Sequence, residues 1–100
     1  MLVVIRFRDG GQPEPMAADL SAAVQVLASK PGCEDAWVGR NVDDPELWTM
    51  VTRWADPGSY RRALSSYEVK MHVVPVLNRA LDEPSAYEPL TGELNVNIPR

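Results

Sequence analysis

The chain has 100 residues, of which 45% are hydrophobic and 24% charged, as expected for one globular domain spanning residues 1–100. Its formal net charge of −4 argues against a nucleic-acid partner and against an anionic membrane surface, because both require a basic face. The single cysteine, Cys33, excludes an internal disulfide and favours a reducing compartment. Residues 2–5 are too short for a signal-peptide core, and no apolar run approaches the ~20 residues of a membrane helix, so we expect a cytoplasmic protein.

A strand and a helix open the predicted order of elements. Residues 2–8 are rich in β-branched and aliphatic side chains, which predicts a strand that ends at Asp9-Gly10-Gly11. Pro13-Glu14-Pro15 is expected to remain irregular, so the helix is predicted from about Met16 to Ser29. Its apolar stripe repeats at helical spacing through Met16, Leu20, Ala23, Val24 and Leu27. Lys30-Pro31-Gly32 then stops the helix.

The next segment is predicted to form a β-hairpin. Its strands cover residues 33–42 and 47–54, and Asp43-Asp44-Pro45 supplies the turn. On the first of these strands, Trp37 faces away from Ala36, Val38 and Val42. On the second, Trp48, Met50 and Trp54 face away from Leu47 and Val51. Since both faces are apolar, both should be covered, and we expect a second copy of the chain to cover one of them in a homodimer.

Helical spacing returns after the hairpin. Asp56 and Pro57 have the residue types of a helix N-cap and first helical position. The predicted inner side carries Tyr60, Ala63, Leu64, Tyr67, Val69, His72, Val73, Val76, Leu77 and Ala80. Pro75 interrupts this pattern and predicts a kink or a restart near Val74.

Two strands complete the prediction. Ser85 to Leu90 is predicted to form a short fourth strand, weakened by Pro89. Residues 91–100 alternate apolar and polar side chains, which predicts a C-terminal tail strand beyond a core of residues 2–90. The order β-α-β-β-α-β predicts an α+β, ferredoxin-like fold with a split β-α-β and an antiparallel sheet.

The sequence offers few groups for metal or nucleophilic chemistry. One histidine and one cysteine cannot form a zinc site or a two-histidine iron site, so no metal centre is predicted. Asp9-Gly10-Gly11-Gln12 lacks the spacing of a phosphate-binding loop. A nucleophilic pair of Cys33 and His72 is disfavoured, because Cys33 directly follows a Pro-Gly turn and cysteine is often a small buried group.

The single histidine allows two interpretations. His72 is expected on an apolar helix face, flanked by Val69, Val73 and Val76. It is then either a core or interface histidine, or a general base or haem ligand that faces a pocket.

The aromatic face of the third strand also allows two interpretations. It carries Trp48, Met50 and Trp54. This face forms either ordinary sheet core or, together with Tyr60, a flat apolar pocket for an aromatic ligand. The polar groups of such a pocket would be the Tyr60 hydroxyl and the guanidinium of Arg53 or Arg6.

Several motifs together resemble the antibiotic biosynthesis monooxygenase (ABM) family over about residues 2–90. They are the Pro31-Gly32 helix stop, the Asp44-Pro45 turn, the Arg53-Trp54-Ala55-Asp56 strand end, Tyr60, and His72. The resemblance implies a dimeric α+β barrel, in which the sheets of two subunits pack face to face. Each subunit would hold a pocket between its sheet and its helices.

One branch of that family oxidises anthrone-like aromatic polyketides to quinones with O₂ and no cofactor. Its tryptophan at the end of the third strand is matched by Trp54, and its tyrosine in the next helix by Tyr60. The asparagine that this branch places four residues before the tryptophan is Met50 here. The resemblance implies a cofactor-independent monooxygenase for a small aromatic or polyketide-like substrate.

That resemblance also implies roles for particular residues. His72 or a tyrosine would transfer protons, Arg53 or Arg6 would stabilise the oxyanion, and Trp54 would stack on the substrate with Trp48. The catalytic set would be His72, Trp54, Tyr60 and Arg53, and the substrate-binding set would be Arg6, Trp48, Met50 and Tyr67.

A second branch of the family binds and degrades haem. Its histidine ligand is matched by His72, whereas its strand-one asparagine falls at Arg6 or Phe7 and its helical tryptophan near Ala63. Haem binding is therefore the alternative to a cofactor-free site. A third hypothesis is a dimeric ligand-binding protein with this fold and no catalytic activity.

Overall fold

A four-stranded antiparallel sheet and four helices make up residues 1–90, the part of the chain that the computed structural model describes. The strands are β1 Leu2–Arg8, β2 Cys33–Arg40, β3 Leu47–Trp54 and β4 Ala86–Tyr87. The helices are α1 Pro13–Ala28, α2 Pro57–Ser65, α3 Tyr67–His72 and α4 Val74–Leu77. The strand order β2-β3-β1-β4 confirms the predicted ferredoxin-like α+β fold. None of these helices is long and apolar enough to cross a membrane.

The central strands have one face toward the helices and one face away from them. On the helix side, Ile5 lies opposite Met50, and both are buried. On the other side, Val4 and Trp37 flank Val51 from the two neighbouring strands. Strand geometry sends alternate side chains to opposite faces, so this register confirms the two apolar faces predicted for β3.

Helix α1 begins earlier than predicted. The expectation that residues 13–15 stay irregular is wrong, because Pro13 starts the helix and Pro15 lies in its first turn. Backbone N–H groups in a first turn need no helical partner, so proline is tolerated there. The helix ends at Ala28, as the breaker sequence predicts. Gly32 follows with φ of +87°, and a Cβ at this position would collide with the Ser59 side chain.

Strand β2 ends two residues earlier than predicted. The Asn41 side-chain oxygen accepts hydrogen bonds from the backbone N–H groups of Asp43 (2.9 Å) and Asp44 (2.8 Å). This local turn draws the chain out of the sheet. Val42 therefore lies in the turn with 94% of its surface exposed, so its predicted place on the strand face of Ala36 and Val38 is wrong. Strand β3, Leu47–Trp54, has the predicted bounds.

The segment after β3 divides into three short helices. The Asp56 carboxylate accepts a hydrogen bond from the Ser59 N–H at 2.7 Å, which confirms the predicted N-cap of α2. Ser66 is extended, with ψ of 148°, and separates α2 from α3. Val73 separates α3 from α4, and Pro75 lies in the first turn of α4, so the predicted restart is confirmed.

The last described strand is shorter than predicted. β4 covers only Ala86–Tyr87 and pairs with Leu2 and Val3 at the edge of the sheet. The tail strand predicted for residues 91–100 lies outside the described residues.

Candidate active site

A cavity of about 180 Å³ lies where the helices meet the edge of β1. Its lining comes from β1, α2, the end of α4 and the segment before β4, and consists of Val4, Ile5, Arg6, Tyr60, Leu77, Ala80, Leu81, Glu83 and Ser85. The resemblance to the ABM family implies a pocket between sheet and helices, and this cavity is in that position. We call it the Tyr60 cavity.

The Tyr60 cavity exists because the segment beside β1 carries two extra residues. The Val4 N–H donates to the Ser85 carbonyl (2.7 Å), and the Leu81 N–H donates to the Arg6 carbonyl (2.8 Å). Val4 and Arg6 are two positions apart, whereas Leu81 and Ser85 are four apart, so the ladder cannot be regular between them. An insertion of this kind bends one strand away from its partner and opens a gap.

Tyr60 is the predicted catalytic residue that the structure places in this cavity. Its ring packs on Trp54 with centroids 5.3 Å apart and planes at 52°, a tilted aromatic contact. Its hydroxyl has no hydrogen-bond partner among residues 1–90. Every fully buried side-chain oxygen of these residues has a partner, so the Tyr60 hydroxyl is reached by solvent. Burial of the ring raises the pKa of Tyr60 above its ordinary value of 10.0. The hydroxyl is therefore a hydrogen-bond donor at neutral pH.

The aromatic face of β3 supports the cavity from below but does not line it. Trp54 is 1% exposed, and its indole N–H donates to the Thr52 hydroxyl at 2.8 Å. Met50 is equally buried. The first of the two interpretations, ordinary sheet core, therefore describes these side chains. Their effect on a ligand is indirect, because Trp54 fixes the ring of Tyr60.

Trp48 lies at the other end of the same strand. Its indole N–H donates to the Asp9 carboxylate at 2.9 Å, and the Arg40 guanidinium carbon lies 5.2 Å from its ring centroid. Trp48 and Arg6 also line an open cleft of about 410 Å³ beside the β2–β3 turn. Neither Tyr60 nor Trp54 lines that cleft, so the predicted stacking of Trp48 and Trp54 on one ligand is not possible in this arrangement.

Arg6 and Glu83 form a bidentate ion pair at the solvent-exposed rim of the Tyr60 cavity. The Arg6 Nε and Nη2 atoms donate to the two Glu83 carboxylate oxygens at 2.6 and 2.7 Å. This contact raises the pKa of Arg6 and lowers the pKa of Glu83, so both groups are ionised at neutral pH. Sequence reasoning missed Glu83, because its position depends on the extra residues between β1 and β4 rather than on a local pattern.

The expected inward positions of His72 and Tyr67 are wrong in this chain. Tyr67 is 78% exposed, and His72 is also exposed on α3. The extended residue Ser66 breaks the helical phase. Val69 and Val73 face the core as predicted, but Tyr67 and His72 do not. Neither of the displaced residues lines the Tyr60 cavity.

Arg53 also lies away from the cavity. It is exposed on the sheet face that the helices leave open, with its guanidinium nitrogens 3.7 Å from the carboxylates of Glu34 and Asp35. An oxyanion held in the Tyr60 cavity would therefore not meet Arg53. Arg6 is the arginine that lines this cavity.

The described residues do not fit haem ligation. His72 is exposed, the position of the family's helical tryptophan is the small buried residue Ala63, and the strand-one position is Arg6 or the fully buried Phe7. No three histidine, cysteine or acidic side chains of residues 1–90 converge as a metal site. Burial raises the pKa of the Cys33 thiol, which does not favour a nucleophilic thiolate.

Comparisons with known proteins agree with this architecture. The chain is similar to SnoaB, a cofactor-independent oxygenase from Streptomyces nogalater, with 20% identity and a TM-score of 0.71 over 96% of this chain and 95% of that chain. A protein of Deinococcus radiodurans assigned to the antibiotic biosynthesis monooxygenases has 15% identity and a TM-score of 0.71 over 96% and 98% of the two chains. A protein of Chloroflexus aurantiacus with the same assignment has 24% identity and a TM-score of 0.68 over 92% of this chain and 94% of that chain.

These identities establish a shared fold, and no curated protein matches the chain significantly. The family model for antibiotic biosynthesis monooxygenase matches residues 1–73, which include β1 to α3 and thus Tyr60 and Trp54. The chain therefore belongs to the antibiotic biosynthesis monooxygenase family.

Proposed function

We propose that this protein is a cofactor-independent monooxygenase that oxidises a small aromatic substrate with O₂ in the Tyr60 cavity. The observation that carries the proposal is the accessible Tyr60 hydroxyl, which has no hydrogen-bond partner among residues 1–90 and lies in a cavity with an apolar wall of Ile5, Leu77, Ala80 and Leu81. An aromatic substrate packed on this wall would displace water from it, and the hydroxyl, whose ring is held by Trp54, provides a positioned donor for the substrate oxygen. SnoaB, which shares the fold, is a cofactor-independent oxygenase.

The reaction needs an electron-rich substrate rather than a protein-bound redox group. A phenol loses its hydroxyl proton, and a ring carbon of the resulting phenolate forms a bond to O₂. After the outer oxygen takes up a proton, the hydroperoxide loses the ring C–H proton while its O–O bond breaks. One oxygen atom remains in the quinone and the other leaves as water, so the substrate supplies all the electrons.

Three side chains have roles in this proposal. Tyr60 donates a hydrogen bond to the substrate oxygen as negative charge develops on it. Arg6, paired with Glu83, places positive charge at the solvent-exposed rim of the cavity, and the released proton passes to solvent at this open rim.

A homodimer is part of the same proposal. The sheet face opposite the helices presents apolar side chains to solvent, including Trp37, of which 46% is exposed, and Tyr87, of which 49% is exposed. They flank Val51 and Leu2 in neighbouring strands. Burial of this face against a second copy would remove it from water.

A dimeric ligand-binding protein without catalytic activity is the second candidate. Met50 favours it, because a buried thioether replaces the asparagine of the anthrone-oxidising branch and offers no strong hydrogen bond. In this case the Tyr60 cavity would bind an aromatic ligand and leave it unchanged.

Oxygen consumption separates the two candidates. Chelator-treated protein is supplied with a single-ring methoxyphenol in an oxygen electrode. We expect uptake above the buffer rate, and Tyr60→Phe should slow it about 10²-fold, the lower range for loss of one oxyanion donor. Tyr67→Phe is the matched control, since Tyr67 is exposed on α3. Equal rates for the two variants would exclude the proposed role of Tyr60, and uptake no faster than buffer would leave the ligand-binding candidate.

A further inference from the structure

The irregular edge of β1 leaves two backbone groups directed at the Tyr60 cavity. The register of β1 with β4 pairs Leu2 with Tyr87 and Val3 with Ala86, so a regular ladder would place Glu83 opposite Arg6. Glu83 is instead displaced, and the Arg6 carbonyl accepts from Leu81. Two hydrogen bonds of a regular ladder are therefore absent within residues 1–90, one to the Val4 carbonyl and one from the Arg6 N–H. We call this gap the missing rung.

The missing rung leaves one backbone donor and one backbone acceptor on β1. The N–H and C=O of one strand residue point to the same side, as the paired ladder bonds require. The Val4 N–H and the Arg6 carbonyl both bond toward this edge, so the Val4 carbonyl and the Arg6 N–H face it as well. Within residues 1–90, neither of these two groups has a backbone partner. Val4 and Arg6 both line the cavity.

The size of the cavity restricts what can occupy the gap. Its volume of about 180 Å³ is close to that of an engineered cavity of ~150 Å³ that binds benzene. One aromatic ring fills this space, and the further rings of a fused system would extend past its apolar wall. Ile5, Leu77, Ala80 and Leu81 provide apolar walls for such a ring.

The charges at the wall favour a neutral hydroxyl over a carboxylate. The Arg6 guanidinium is engaged through two nitrogen atoms by the Glu83 carboxylate. A carboxylate ligand would have to displace Glu83 or lie beside its negative charge. A hydroxyl avoids this repulsion and can both donate and accept a hydrogen bond.

We propose that the Tyr60 cavity is a subsite for a single-ring phenol whose hydroxyl takes the place of the missing rung. The hydroxyl donates to the Val4 carbonyl and accepts from the Arg6 N–H, and the Tyr60 hydroxyl is a second donor to the same oxygen. The identification of this phenol as a substrate rests on the proposed function. Its binding does not, because binding needs neither O₂ nor turnover.

Anaerobic NMR titration of the full-length, ¹⁵N-labelled protein tests the subsite. The ligands are phenol, toluene of nearly the same shape without the hydroxyl, and 2-naphthol with a second ring. We expect phenol to move the Arg6 amide proton downfield and toluene to leave that resonance near its free position. 2-Naphthol should bind at least tenfold more weakly than phenol.

Two variants and one control variant test the contacts. Tyr60→Phe should weaken phenol binding about two- to tenfold, as expected for loss of one hydrogen bond, and should leave toluene binding unchanged. Ala80→Leu fills the cavity and should abolish binding of both single-ring ligands, while Tyr67→Phe should match the unmodified protein. Equal phenol and toluene affinities, or phenol binding that survives Ala80→Leu, would overturn the subsite.

The two proposals fail in different ways. Phenol binding with the Arg6 shift but without oxygen uptake would sustain the subsite and exclude the monooxygenase. Oxygen uptake with a Tyr60 dependence, but with no Arg6 shift on phenol binding, would sustain the monooxygenase and exclude the subsite.

Discussion

Substitution of Thr52 by valine tests how the core supports Tyr60. The Thr52 hydroxyl is the acceptor for the Trp54 indole N–H, and both side chains are 1% exposed. Valine has nearly the same shape but no oxygen, so the indole N–H would remain buried without a partner. Such a loss costs about 1 to 3 kcal/mol, which lowers Tm by about 4 to 8 °C for each kcal/mol in a domain of this size.

Denaturant unfolding and calorimetry measure this loss, and a double-mutant cycle isolates the hydrogen bond. Trp54→Phe removes the donor, so Thr52→Val in that background should cost less than in the unmodified protein. Thr49→Val is the matched control, because the Thr49 hydroxyl donates to the Ile5 carbonyl at 3.2 Å from a half-buried position. Thr52→Val with unchanged unfolding free energy, or with the same cost in both backgrounds, would refute this account of the core.

Three further predictions concern charge, assembly and backbone geometry. Arg6 holds the pKa of Glu83 below its ordinary value of 4.5, so the pair stabilises the fold above that pH and loses this contribution as pH falls through the lowered pKa. Glu83→Gln should therefore lower Tm at pH 7 and have little effect near pH 2, and an equal effect at both would contradict the pairing. Trp37→Glu places a charge on the exposed sheet face and should convert a dimer into a monomer in light scattering, whereas a monomeric unmodified protein would exclude the proposed interface. Gly32→Ala should lower the unfolding free energy by more than about 1 kcal/mol, because φ of +87° is strained for alanine and its Cβ collides with Ser59. An unchanged free energy in denaturant would show that this turn relaxes.

The bounds of the central strands could be predicted from local signals. β1 and β3 are rich in β-branched and aromatic residues, and their period-2 alternation defines both faces. The N-cap at Asp56 and the restart at Pro75 also follow from local chemistry. Each of these features depends on only a few neighbouring residues, so a single sequence is sufficient to predict it.

The composition of the site depends on longer-range geometry. Ser66 lies between two segments of helical periodicity, and its extended backbone shifts the phase so that His72 and Tyr67 face outward. Glu83 reaches the cavity because the segment before β4 carries two more residues than β1 can pair. No local sequence pattern distinguishes the break at Ser66, or the two extra residues before β4, from an ordinary loop. Tyr60 was predicted because its position after the third strand matches the family motif.

The most direct test of the central claim is the fate of molecular oxygen. Metal-free protein is incubated with ¹⁸O₂ and a single-ring methoxyphenol, and the product is analysed by mass spectrometry before its carbonyl oxygen exchanges with water. The account predicts a quinone that carries one ¹⁸O atom, formed much more slowly by Tyr60→Phe than by Tyr67→Phe. Product without label, or labelled product formed equally fast by both variants, would contradict it.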